Sequence, residues 1–408
     1  MATKLKGNAV IGQSGGPTSV INQSLVGVIQ EVQKSGHINQ LLGAVHGVRG
    51  IKKEQFIPLR GASADLLERI ANTPAAALGS TRDKPSFEYC QEIFKVFKKN
   101  DVRYFFYIGG NDSADAARII SELASEEHYD LQVLHIPKTI DNDLRVHDHT
   151  PGYGSAAKFV AAALMGDNFD NKSLPGIKVD VIMGRHAGFL TAAAVLARQN
   201  DEDGPHLIYV PESPLSMDKF VGDVDRVYTK QGRCLIAVSE GICTPTGPSW
   251  AEKMVEHLER DSHGNIQLSG TGALGDYLVD IILHKLATPT GPKLRVRADT
   301  FGYLQRSFPG FVSETDAKEA RMVGVKAVQY SANAGESGSV AMRRVGDGDY
   351  RVETFLTPLS TVAKETKHLD PKYIVDGNNI SHEFIAYASP LVGPLPRVGT
   401  LDELGTTK

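Results

Sequence analysis

Val102-Arg103-Tyr104-Phe105-Phe106-Tyr107-Ile108-Gly109-Gly110-Asn111-Asp112-Ser113 is the stretch that decides the fold. Apart from Arg103, its first seven residues are β-branched or aromatic, with no alternation of polar and apolar positions. A strand with one wet face alternates. A strand covered on both faces, as in a parallel sheet layered with helices, does not. Two glycines end the run, and Asn-Asp-Ser opens a helical pattern. Strand, glycine turn and helix start make the repeating unit of a doubly wound sheet, whose ligands collect at the carboxyl ends of the strands.

The same unit recurs on either side. Ala9-Val10-Ile11 enters Gly12-Gln13-Ser14-Gly15-Gly16-Pro17, and a helix follows with Val20, Ile21, Leu25, Val28, Ile29 and Val32 on one face. The spacing predicts a helix over Ser86–Lys99 and a strand over Leu131–Ile136. That strand ends at Pro137-Lys138-Thr139-Ile140-Asp141-Asn142-Asp143. Further on, helices are predicted over Tyr153 to about Phe169 and Ala187–Arg198. Strands are predicted over Ile177–Met183, Leu207–Val210 and Cys234–Val238. Beyond about Tyr350 no motif stands out.

At 408 residues the chain is long enough for two or three domains. Its 44 Lys+Arg against 48 Asp+Glu give a net charge of −4, which argues against a protein held to nucleic acid by a basic surface. Glycine, at 40 residues, suits a fold with many strand–loop–helix turns. Cys90, Cys234 and Cys243 include no CxxC pair, so no disulfide framework is expected. Apolar runs fall far short of the roughly 20 residues that span a bilayer. No hydrophobic signal core follows the amino-terminal lysines. A cytoplasmic protein is expected, with no membrane and no nucleic-acid partner.

Glycines at a strand-to-helix turn let a ligand approach the backbone while the helix-start amides point at it, which suits phosphate. One such loop alone reads first as a tight turn, but two on one sheet shift the reading toward a polyphosphate. Asp141 and Asp143 follow a buried strand, where carboxylates act as a base, hold a metal or shape an Asx turn. Arg82, Lys138, Arg185, Arg297 and Arg306 fall in loops at predicted strand ends, which points to two anionic groups in one cleft.

Together these stretches resemble the phosphofructokinase family over about residues 8–335. The resemblance rests on Ser14–Pro17, Gly79–Arg82, Gly109–Ser113, Pro137–Asp143, Thr150–Ser155, Met183–Gly188, Ser239–Gly241 and Tyr303–Arg306, in this order and at these spacings. It implies two doubly wound α/β lobes with the active site in the cleft between them. Residues 1–152 plus about 305–335 would form a phosphoryl-donor lobe, 153–304 a sugar-phosphate lobe, and 336–408 an extension packed on a lobe or an interface.

The resemblance also implies roles. Asp141 matches the base for the sugar 1-hydroxyl, with Thr139 and Asp143 as its neighbours. Met183, Gly184, Arg185 and Glu240 match the fructose 6-phosphate site, and Arg297, Tyr303 and Arg306 its 6-phosphate end. Gly15, Gly16, Arg82 and Ser113 match the donor side. Asn111 stands where the family usually carries an acid that supports Mg²⁺, so contact there is expected to be weaker or through water. The allosteric members carry two arginines where this chain has Val26 and Gln30, so that effector site is expected to be absent. Asp112 and Lys138 replace glycines of ATP-using relatives, which resembles the pyrophosphate-dependent branch. The alternatives are an ATP-dependent enzyme of the same family and a non-catalytic sugar-phosphate sensor. A homodimer is expected, with a tetramer as the other family form. His186 is read as a packing residue beside the sugar loop.

Overall fold

The computed structural model describes residues 5–247, 249–250, 272–287, 293–332, 336–346, 349–363, 365–399 and 401. Two sheets organise them. The first uses β1 (Gly7–Gln13), β2 (Ile38–Ala44), β3 (Phe56–Pro58), β4 (Val102–Gly109) and β5 (Gln132–Pro137). The second uses β6 (Ile177–Ile182), β7 (Leu207–Tyr209), β8 (Cys234–Ser239) and β9 (Val296–Thr300). The chain then returns to the first sheet with β10 (Gly338–Arg344) and β11 (Val352–Thr357). A small ribbon of β12 (Ile374–Val375) and β13 (Asn379–Ile380) follows.

The first sheet has the order β11-β10-β5-β4-β1-β2-β3, and the second β7-β8-β6-β9. Their interiors are parallel, and only the edge pairs β2–β3 and β10–β11 run antiparallel. The unalternating β4 sequence is accounted for: Tyr104, Phe106 and Ile108 enter one apolar layer, and Phe105 and Tyr107 the opposite one. The strand order reverses where β4 meets β1, with β2 on one side and β5 on the other. That crevice is where a doubly wound sheet binds ligands.

Predicted elements and observed ones differ mainly at their ends. The helix from Tyr153 runs to Ser173. The predicted helix Ala187–Arg198 is one α-turn, Phe189–Ala192, continued as a 3₁₀ segment, Ala193–Ala197. Its small residues Ala192, Ala193, Ala194 and Ala197 are almost fully buried in the same core as helix Tyr153–Ser173, and the tighter winding brings the two backbones close. The part of the chain after Tyr350 is ordered by packing that its sequence does not announce. β11 completes the first sheet, while helix His382–Val392 sends Phe384, Ala388, Leu391 and Val392 into the core around helix Tyr153–Ser173. Cys90, Cys234 and Cys243 are not joined in disulfides. Among the described residues no helix is long and apolar enough to cross a membrane.

Candidate active site

Three adjacent strands deliver three loops to one place. β1 ends at Ser14-Gly15-Gly16, β4 at Gly110, and β5 at Lys138. Gly15 takes φ +74°, open mainly to glycine, and its amide donates to the Thr81 carbonyl at 2.9 Å. This brings Arg82 alongside the first loop. Gly109 is required for close approach, because a Cβ there would lie 1.9 Å from Ser113 Oγ. Ser113 in turn touches Ser14 through paired hydroxyls, which joins the two glycine loops.

The loops wall a cavity of about 390 Å³ lined by Ser14, Gly15, Arg82, Asn111, Asp112 and Ser113, among others. A second cavity of about 440 Å³ is lined by Met183, Arg185, Glu240, Tyr303 and Arg306 from the carboxyl end of the second sheet. The two share Gly16, Arg82, Lys138, Thr139, Asp141 and His186. Asp141 therefore stands at the seam.

The sugar-side loop is held from behind. Gly184 takes φ +137°, its carbonyl accepts the Ser239 hydroxyl at 2.6 Å, and Gln305 Oε1 accepts the Met183 amide at 3.2 Å. A Cβ on Gly241 would lie 2.1 Å from the Arg185 carbonyl, so the loops after β6 and β8 meet at backbone contact. The Thr150–Ser155 motif works structurally. Asp316 caps the helix beginning at Tyr153, its carboxylate accepting from the amides of Gly152 and Ser155 at 2.8 and 2.9 Å. The Thr150 hydroxyl donates to the Thr139 carbonyl at 2.9 Å.

Charges are crowded at the seam. Lys138 is buried, its ammonium donates to the Gly16 carbonyl at 2.7 Å, and its pKa is lowered to about 8. Burial is the main cause, and Arg306 and Arg82 add repulsion. Burial also lowers Arg306, again with Arg82 opposing its charge, and its Nε is buried without a partner. Cations that weaken one another in this way are prepared for an anion. Burial, Asp143 and Glu240 push the Asp141 carboxyl up to about 7, within reach of proton transfer near neutrality. Asp143 is raised by burial, which its own amide, the Lys367 charge and the Thr139 hydroxyl oppose.

Asn111 donates from Nδ2 to Asp143 Oδ2 at 3.2 Å and leaves a buried Oδ1 with no partner on the wall of the donor cavity. An uncharged oxygen ligand in that position suits a hard cation. Asp112 is exposed at the rim and pairs with Lys84 at 3.3 Å. Its charge is therefore partly balanced by a neighbouring cation at the cavity mouth.

Arg297 stands apart from the sites assigned to it by sequence. It pairs in register with Lys178, near the start of β6, whereas Met183 follows the far end of that strand, about 16 Å away along it. Arg297 is exposed there and lines a separate hollow with Lys178, Arg295 and Asp299. Within one chain it does not join Tyr303 and Arg306.

The tail brings residues that sequence reading passed over. Thr366 lines the donor cavity, and Lys367, His368 and Tyr387 bond to the loops around it. No motif marks them, because they act mostly on main-chain carbonyls more than 180 positions away.

Comparison with known proteins agrees with this geometry. A family model described as phosphofructokinase matches residues 8–331. A pyrophosphate–fructose 6-phosphate 1-phosphotransferase of Rhodospirillum rubrum is 53% identical, over 95% of both chains. One from Xanthomonas campestris is 35% identical, over 95% of this chain and 91% of its own. The crystal structure of a pyrophosphate-dependent phosphofructokinase from Marinobacter aquaeolei superposes with a TM-score of 0.83 at 32% identity, covering 96% of this chain and 95% of its own.

Proposed function

The chain belongs to the phosphofructokinase family, and from that premise we propose how its cleft works. It transfers a phosphoryl group from pyrophosphate to the 1-hydroxyl of fructose 6-phosphate, giving fructose 1,6-bisphosphate and phosphate. The observation that carries the assignment of roles is the seam. Two cavities lined by phosphate-binding groups share Asp141 and Lys138.

Pyrophosphate occupies the cavity of Gly15, Gly16, Arg82, Asp112 and Ser113. The sugar phosphate lies against Met183, Gly184, Arg185 and Glu240, with its 6-phosphate toward Tyr303 and Arg306. Asp141, with Thr139 and Asp143 beside it, takes the proton from the 1-hydroxyl as that oxygen attacks the near phosphorus. Phosphoryl transfer needs in-line placement and neutralised oxygens more than covalent help. Lys138 supplies the neutralising charge between the two substrates. Asn111 offers its free oxygen to Mg²⁺, which when bound spreads the charge of the donor oxygens. The reaction is readily reversible because pyrophosphate is a less energetic donor than ATP, and the carboxyl that accepts the proton in one direction returns it in the other.

We further assign the donor lobe to residues 1–152 plus about 305–335, the sugar lobe to 153–304, a cytoplasmic location, and a homodimer in which a second copy supplies Arg297 to the 6-phosphate. Assays with pyrophosphate and ATP in parallel test the donor. Turnover with pyrophosphate and little with ATP is expected, and robust ATP-dependent turnover would overturn the donor assignment.

A further inference from the structure

The loop that carries the base is held in an improbable conformation. Asn142, adjacent to Asp141, takes φ +56°, and Val146, a β-branched residue, takes φ +71°. Such angles persist only where the surroundings over-determine them. Here the surroundings come from the segment Glu365–Leu369, beyond the stretch matched by the family model.

This segment lies along the loop and crosses from it to the sugar loop. Thr366 forms an antiparallel bridge to Leu144, and Glu365 pairs with Arg145. The Lys367 amide donates to the Asp143 carbonyl at 2.7 Å. Its ammonium donates to the carbonyls of His147 and Asp148 at 3.0 and 2.9 Å and lies 4.9 Å over the Phe189 ring. On the other side, His368 Nδ1 donates to the His186 carbonyl at 2.9 Å. Glu212 Oε1 accepts both the Leu369 amide at 2.8 Å and the Gly188 amide at 2.9 Å. Five consecutive residues thus bond to the base loop at one end and to the sugar loop at the other. Tyr387 adds a second tie, accepting from Asn142 Nδ2 and donating to the Asp148 carbonyl, both at 2.8 Å.

We propose that Glu365–Leu369 is a strap that registers the base loop against the sugar loop, and that Lys367 is the positioning residue at its centre. The proposal rests on the reading of Asp141 as the base. Lysine suits the task because one ammonium satisfies two main-chain carbonyls of an irregular loop at once. Without it the His147 carbonyl loses the ammonium and the Asp148 carbonyl keeps only the Tyr387 hydroxyl, Val146 relaxes, and Asp141 no longer meets the 1-hydroxyl. Proton transfer and attack require close placement, so the loss falls on turnover more than on binding.

The test compares Lys367→Met, Lys367→Arg and the wild type as full-length proteins, by steady-state kinetics with pyrophosphate at 25 °C and by amide hydrogen exchange of the free enzyme. Lys367→Met is expected to lower kcat about tenfold to a hundredfold while both Michaelis constants move by less than about threefold. Exchange should rise in the peptides covering 139–150 and 183–188 and stay unchanged in Val102–Gly109. Lys367→Arg should recover most of both. A Lys367→Met enzyme with kcat within about twofold of wild type, or with a lowered melting temperature and no localised rise in exchange, overturns the strap. An Asp141→Asn enzyme with near wild-type kcat sinks the base reading instead, and the exchange measurement still decides whether the strap orders both loops.

Discussion

Asp141 is held where ionising it is costly, between Asp143 and Glu240 and away from water. Its carboxyl is raised from 3.8 to about 7, so across that interval the folded protein binds a proton that the unfolded chain has lost. Stability therefore falls as pH rises through the interval, and the whole cost is present above pH 7. Asp141→Asn keeps the shape and removes the charge. It should raise the melting temperature at pH 8 by about 2–5 °C while lowering kcat by about 10²–10⁴. A turn-capping aspartate predicts the reverse: lost stability with kcat nearly intact. The same carboxyl predicts opposed pH limbs. In the direction that makes fructose 1,6-bisphosphate it must be ionised, so kcat/KM should fall below a pH near 7. In the reverse direction it must be protonated, so kcat/KM should fall above that pH. Parallel profiles in the two directions would remove Asp141 from proton transfer.

Among the elements, the glycine loops were legible because each is a local event: a buried strand, a turn that tolerates no Cβ, and a helix start. Gly15 and Gly109 carry that signal in their own identity. The strap carries none, since Lys367 reads as one more solvated lysine until β10 and β11 bring the chain back beside the base loop. The Ala187–Arg198 segment failed in another way, because helical spacing among small residues does not separate an α-helix from a tighter 3₁₀ one. Donor choice belongs to two loops. At an exposed rim and paired with Lys84, the Asp112 charge is worth nearer 1 kcal/mol than the value for a buried pair, so bulk and Lys138 share the exclusion of ATP. Asp112→Gly with Lys138→Gly should lower pyrophosphate turnover at least tenfold and raise ATP turnover no more than about tenfold. A full exchange of donors would show that charge dominates. Arg306→Ala should raise the Michaelis constant for fructose 6-phosphate. An effect on pyrophosphate alone would mean that the ends of the cleft are reversed.

At the scale of the whole molecule, Arg297 shows what a single chain leaves incomplete. The resemblance gives it to the 6-phosphate, yet in the fold it sits near the amino end of the second sheet, exposed and at the wrong end of β9 for its own cleft. A two-fold dimer removes the conflict, since each copy can then extend Arg297 toward the sugar held by the other. This arrangement makes a prediction that no monomeric account shares. Arg297→Ala and Asp141→Asn, each nearly inactive at low fructose 6-phosphate, should complement when unfolded and refolded together. In a mixed dimer one cleft combines an intact Asp141 with an intact Arg297 from the other subunit, and its neighbour has neither. Random pairing then restores up to about a quarter of wild-type turnover. Equal amounts refolded separately and mixed without exchange should restore nothing. A refolded mixture no more active than the sum of its parts would confine each active site to one chain and leave Arg297 to the surface hollow it shares with Lys178 and Asp299.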